Sequence, residues 1–234
     1  EKNINMNDKK PSSTLMLDTY EPGSDWKLSW SDEFDNETLD ESIWNFQVEK
    51  AGRFNKEWQR YTNSSKNAYV ENSCLVLKAN HESDIHGPDQ YTSARLHTAH
   101  KFSFKYGKLA ARIKLPHGNG IWPAFWMLGT NIDENGGDTP WPFCGEIDIM
   151  EMVDGDPTTY ATYHWNTDNC GDSPLPHSSI GSNTKDDGFA EGFHEYAVEY
   201  SMEGISWALD GKVFQTIKAG ESKSPSGEAA VMFD

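Results

Sequence analysis

The chain is written in short alternating stretches. In "YGKLAARIKLP", Leu109, Ala111, Ile113 and Leu115 alternate with Lys108, Ala110, Arg112 and Lys114, the period of a half-buried strand. In "HEYAVEY", Tyr196, Val198 and Tyr200 share one face. "ISWALDGKVFQTI" predicts a hairpin, with Ile205, Trp207 and Leu209 on one arm and Val213 and Ile217 on the other. The Asp210-Gly211 pair between them suits a type I′ turn, because both residues tolerate positive φ. "CLVLKAN" (74–80) predicts a further strand, and no periodicity of 3.6 persists beyond a turn or two. Residues 1–24 are polar and aperiodic and read as a flexible leader or tether. Many short strands between Gly, Pro and Asn turns predict an all-β fold, an antiparallel sandwich or jelly roll over residues 25–234. The polar stretch from Asn166 to Gly192 predicts a long loop.

One stretch breaks its own period. "GEIDIMEM" (145–152) places Glu146 and Asp148 on one face and Ile147 and Ile149 on the other, but Glu151 falls out of phase. A single acid on a strand is ordinarily a solvated side chain. Three acids among Ile147, Ile149, Met150 and Met152 are not so simply explained. A β-bulge adds one residue and resets the alternation, so a bulge at Ile149–Met150 returns Glu151 to the face of the other two. Two carboxylates on one face can flank a sugar bond. Retaining glycoside hydrolysis needs them about 5–5.5 Å apart. A flat strand would set the Cα atoms of Glu146 and Glu151 about 13 Å apart, so their side chains must lean together over a concave sheet.

Composition narrows the ligand. A formal net charge of -17 over 234 residues disfavours nucleic acid, anionic membranes and sulfated polymers and suits a neutral partner better, although by itself such acidity reads first as solubility. No segment reaches the about 20 apolar residues that a membrane-spanning helix needs. Three Cys are too few for a disulfide scaffold, though Cys144 and Cys170 could pair in an oxidising compartment. His81, His86, His97 and His100 match no zinc spacing.

These motifs occur in a recognisable order. "SWSDEFD" (29–35), "EWQRYT" (57–62), "YTSARLHT" (91–98), "GIWPAFWMLG" (120–129), "GEIDIMEM" and "YHW" (163–165) together resemble glycoside hydrolase family 16, laminarinase-like endo-β-1,3-glucanases in particular. The acids match the bulged form of that family's signature, Glu-x-Asp-x-x-Glu. The resemblance implies a β-jelly-roll of two curved antiparallel sheets with a substrate cleft across the concave face. It implies a retaining mechanism, with Glu146 as nucleophile, Glu151 as general acid/base and Asp148 tuning the nucleophile. It implies that Asn55, Arg95, Trp122, Trp126, Trp141 and His164 meet the sugar, with His164 near the acid/base. Taken singly, each Trp could equally be core, Arg95 a surface ion-pair partner and His164 a structural histidine.

The expected partner is a neutral β-glucan polysaccharide, cut at internal β-1,3 bonds, outside the cell or at its surface. No cofactor is implied for catalysis. A structural calcium is implied, with Glu33 as a possible ligand. A non-catalytic glucan-binding module, a transglycosylase and an agarase-type member remain the alternatives. The chain ends at "GEAAVMFD" without the closing strands of the family. The jelly roll is therefore expected to lack its C-terminal strands, or to receive them from a further segment or a second chain.

Overall fold

The computed structural model describes residues 26–83, 90–166, 178–185 and 188–219. The leader expected at 1–24, Cys170 with its expected partnership, His86 and the chain end lie outside the described residues. The chain divides into two compact units, Asp25–Ser103 and the residues from Phe104 onward. No helix among the described residues is long and apolar enough to cross a membrane. Their helical content is a 3-10 turn at Asp133–Asn135.

The first unit is built of short strands. β1 (Asn45–Phe46) pairs β7 (Leu96–His97), and β3 (Ala68–Glu71) pairs β4 (Cys74–Leu77). β6 (Tyr91–Ser93) lies between β2 (Gln59–Tyr61) and β5 (Asn80–His81). The single strand expected over 74–80 is thus two, β4 and β5. The β2–β6 pair is parallel, against the antiparallel expectation. Buried Asn67 ties this unit together: its amide donates to the Lys78 carbonyl and to Thr92 Oγ1, and its Oδ1 accepts from Thr62.

The second unit holds two antiparallel four-stranded sheets. One runs β12 (Ser178–Lys185), β11 (Thr158–Trp165), β10 (Glu146–Met152), β9 (Ala124–Leu128). The other runs β15 (Lys212–Lys218), β14 (Gly204–Leu209), β13 (His194–Ser201), β8 (Gly107–Ile113). Alternation decides what the sheets share. Ile147, Ile149, Ala161 and Tyr163 from the first sheet are buried in one cluster with Tyr196, Val198, Tyr200, Ile205, Trp207 and Ile217 from the second. This all-β arrangement of packed antiparallel sheets is the expected jelly-roll class.

The hairpin forms as its sequence dictates. Asp210 and Gly211 have φ of 47° and 73°, both in the region a type I′ turn requires. Val213 departs from expectation and is 63% exposed. The register of β14 on β15 shifts between Trp207 and Ala208, so one residue of β15 is extra. Phe214 takes the core-facing place and Val213 turns out to solvent. The loop expected over Asn166–Gly192 also differs: residues 178–185 pair with β11 along its whole length.

Candidate active site

β10 carries the site. Its register on β9 shifts between Asp148 and Met150, and its register on β11 shifts between Asp148 and Glu151. The bulge therefore lies where the phase error demanded it. Ile149 and Met150 are both 2% exposed, and Glu151 rejoins the face of Glu146 and Asp148. A bulge leaves ladder groups without their partner. Here the Asp148 carbonyl accepts a 2.8 Å hydrogen bond from the indole N–H of Trp207, which reaches it from the opposite sheet and is wholly buried. The core of the second unit thus holds the irregular backbone in place.

Cross-strand partners share a face. On β9, Leu128, Trp126 and Ala124 stand opposite Glu146, Asp148 and Glu151. On β11 the partners are His164, Thr162 and Tyr160, followed on β12 by Ser179, Gly181 and Asn183. The face that carries the acids therefore runs through all four strands. Trp126 is the register partner of Asp148. Trp122 precedes β9, and its indole N–H donates to Glu151 Oε1 at 2.8 Å. Trp141 stands beside His164, ring centroids 6.1 Å apart at 54°. Tyr160, Thr162 and Asn183 were not among the expected residues. Counting back by two from His164 finds Tyr160 and Thr162 (nothing in their chemistry singles them out).

The electrostatics centre on Asp148, whose side chain is 5% exposed. His164 Nε2 lies 3.0 Å from Asp148 Oδ2 and 3.9 Å from Glu146 Oε1. Protonated His164 forms an ion pair with Asp148 across this 3.0 Å contact. These contacts tie His164 to Asp148 and Glu146, and its charge also acts on Glu151. Burial, then the charge of Asp148, pushes the Glu146 carboxyl up to about 8, and a hydrogen bond shared with Asp148 adds to this. Burial, then Asp148, also raises Glu151, while the Trp122 N–H and His164 pull it down. Burial would lower His164, but its contact with Asp148 and the charges of Asp148, Glu146 and Glu151 outweigh that and raise it. The Cys144 thiol, 1% exposed, is pushed up to about 11 by burial and then by Glu146, which makes it unreactive.

Glu146, Asp148 and His164 are also the described side chains that could share a metal ion, their donor atoms lying within 4.8 Å of one another. Glu33 belongs to no such group among the described residues. Asn55 and Arg95 lie in the Asp25–Ser103 unit. Asn55 is exposed in a turn at φ 46°, and the Arg95 guanidinium sits 4.1 Å over the Phe54 ring. Beside them, Glu57 accepts from the Tyr61 hydroxyl at 2.6 Å and from Gln59 at 2.9 Å.

A bulged strand with three acids on one face is shared with known proteins only as far as the chain itself is similar to them. The family model for glycosyl hydrolases family 16 matches residues 54–232. A β-glucanase from Rhodothermus marinus is 37% identical over 205 residues, covering 86% of this chain and 69% of that protein. The glucan endo-1,3-β-glucosidase A1 of Niallia circulans is 36% identical over 206 residues, which is 81% of this chain. The match spans 29% of the length of that relative. Among solved structures, the laminarinase catalytic domain from Thermotoga maritima superposes with a TM-score of 0.69 at 42% identity, covering 83% of this chain and 78% of that one.

Proposed function

The chain belongs to glycosyl hydrolases family 16, and on that premise we propose that it is a retaining endo-hydrolase of internal β-1,3-glucosidic bonds in laminarin-type or mixed-linkage β-glucans. One observation carries the mechanism: the bulge at Ile149 sets Glu146, Asp148 and Glu151 on one face of one strand. A binding module needs aromatics and amides but no such trio.

Glu151 is the acid. Burial and its anionic neighbour favour its protonated form, which donates to the leaving glycosidic oxygen. Glu146 is the nucleophile and attacks the anomeric carbon, giving a covalent glycosyl-enzyme. At rest Glu146 holds a proton more tightly than an ordinary carboxyl does. Its hydrogen bond with Asp148 gives that proton a place to go when Glu146 attacks. His164, 3.0 Å from Asp148, offsets the negative charge of the cluster when it carries its second proton, a state the three carboxyls favour. Ionised Glu151 then takes a proton from water, and the hydroxide oxygen releases the sugar with its β configuration.

Trp126 and Trp141 supply faces for the CH surfaces of glucose rings. Asn55 and Arg95 are assigned to sugar hydroxyls on the family resemblance. A polymer of this size does not cross a membrane, so the enzyme acts outside the cell or at its surface. A structural calcium belongs to the same reading, separate from the chemistry.

The test is reducing-sugar release from laminarin, mixed-linkage glucan and agarose, with Glu146→Gln as control. Release from the first two, lost in the variant, is expected. Binding without release supports a module, and products that lengthen with time support transglycosylation. Release from agarose alone overturns the substrate assignment.

A further inference from the structure

We propose that Trp122 is a positioning residue, whose indole N–H holds the Glu151 carboxyl in its working orientation. The proposal rests on Glu151 being the acid/base. The N–H meets Glu151 Oε1 at 2.8 Å, although the ring itself is 49% exposed. The point from which the indole reaches Glu151 is set by its backbone, which is held on both sides. The Met152 N–H donates to the Pro123 carbonyl at 3.2 Å, and the Asp154 N–H donates to the Ile121 carbonyl at 3.0 Å. These bonds bracket Trp122 beyond the end of the β9 ladder.

The turn after β10 supplies the second clamp. Asp154 Oδ1 accepts from the Gly120 N–H at 2.9 Å. Gly155 has φ of 64°, and a Cβ there would come within 2.5 Å of the Gly118 carbonyl oxygen. The turn that follows Glu151 therefore sets the loop that carries Trp122. One short piece of chain fixes both the carboxylate and its donor.

Such a contact divides the labour of the carboxyl. Oε1 is committed to Trp122, which leaves Oε2 to pass the proton. The donor also favours the ionised state, which Glu151 must reach in the second half of the cycle. The other charged or titratable groups on this face are Glu146 and Asp148 on β10, His164 and Tyr160 on β11, and Asp154 in the turn.

Trp122→Phe keeps an aromatic face and removes the N–H. Expected is a fall in kcat of about tenfold with KM changed less than twofold, and an alkaline limb of the pH profile moved to higher pH. Gly155→Ala, with the indole intact but its loop displaced, is expected to move the same quantities in the same direction. A wild-type kcat and an unmoved limb, with KM alone raised, would reduce Trp122 to a sugar platform and overturn the proposal. Titration of the Glu151 carboxyl by NMR of 13C-labelled protein gives a readout that needs no turnover. It should move up in Trp122→Phe, and an unmoved titration overturns the proposal even if the chain hydrolyses nothing. Wild-type protein that releases no sugar sinks the functional reading instead, so the two failures are distinct.

Discussion

Glu146→Gln should make the protein more stable at alkaline pH while abolishing turnover. Glu146 sits 18% exposed beside Asp148, and its carboxyl titrates near 8 instead of 4.5. A raised carboxyl pKa means that the folded state binds a proton the unfolded chain has released. Stability is therefore full below about 4.5 and is lost as pH rises towards about 8. Each pH unit in that window costs up to about 1.4 kcal/mol. Relaxation and the shared proton with Asp148 reduce the sum to a few kcal/mol. His164 adds to the slope with the same sign, since its raised value confers stability that disappears as pH rises through it. Glutamine keeps the shape, stays neutral and removes an anion from the contacts of His164. Urea unfolding at pH 5, 7 and 9 measures the effect. The wild type should lose stability across the series, and the variant should lose distinctly less. Parallel profiles, or a variant that loses more, would refute the claim that burial of this carboxylate opposes folding.

Three further outcomes follow from the same geometry. Trp207→Phe strips the Asp148 carbonyl of its donor inside the core and should cost about 1–3 kcal/mol in urea unfolding, before any cavity cost is added; a loss below 0.5 kcal/mol would mean the bulge needs no such support. Glu151→Ala should lower kcat on unactivated glucan by about 10²–10⁴-fold. On an aryl glycoside whose leaving group needs no proton, azide should speed turnover of the variant by attacking the glycosyl-enzyme and yield a β-glycosyl azide, and absence of that product would argue against Glu151 as acid/base. Chelation with EDTA should leave kcat unchanged, since no step uses a metal, while lowering the melting temperature if a calcium is held; a proportional loss of kcat at constant fold would contradict the mechanism.

What could be read in the sequence was whatever left a break or a turn. The hairpin was legible because Asp210-Gly211 carries its own φ preference. The bulge was legible because three acids that belong together had one out of phase, and one residue repairs it. β12 was illegible: "SSIGSNTK" has no apolar alternation, and its strand exists because β11 offers a ladder eight residues long. The exposure of Val213 was hidden for a related reason, since the extra residue in β15 lies among apolar side chains that fit either face. The parallel β2–β6 pair has no crossover helix to announce it. At the site, strand period with one extra residue assigned the three acids to one face, while Trp126 was placed near them only by the family resemblance. The 3.0 Å link from His164 to Asp148 depends on which rows of β10 and β11 stand opposite, and a single chain does not print its register.

The central claim is that Glu146 and Glu151 act from one face on the same anomeric carbon, through a covalent intermediate. The stereochemistry of the first product reads this directly. Proton NMR during early turnover of a laminari-oligosaccharide should show the β-anomer appearing first, with the α-anomer growing later by mutarotation. An α-anomer formed first would mean that water attacks in a single displacement, and the assignment of Glu146 as nucleophile would be wrong.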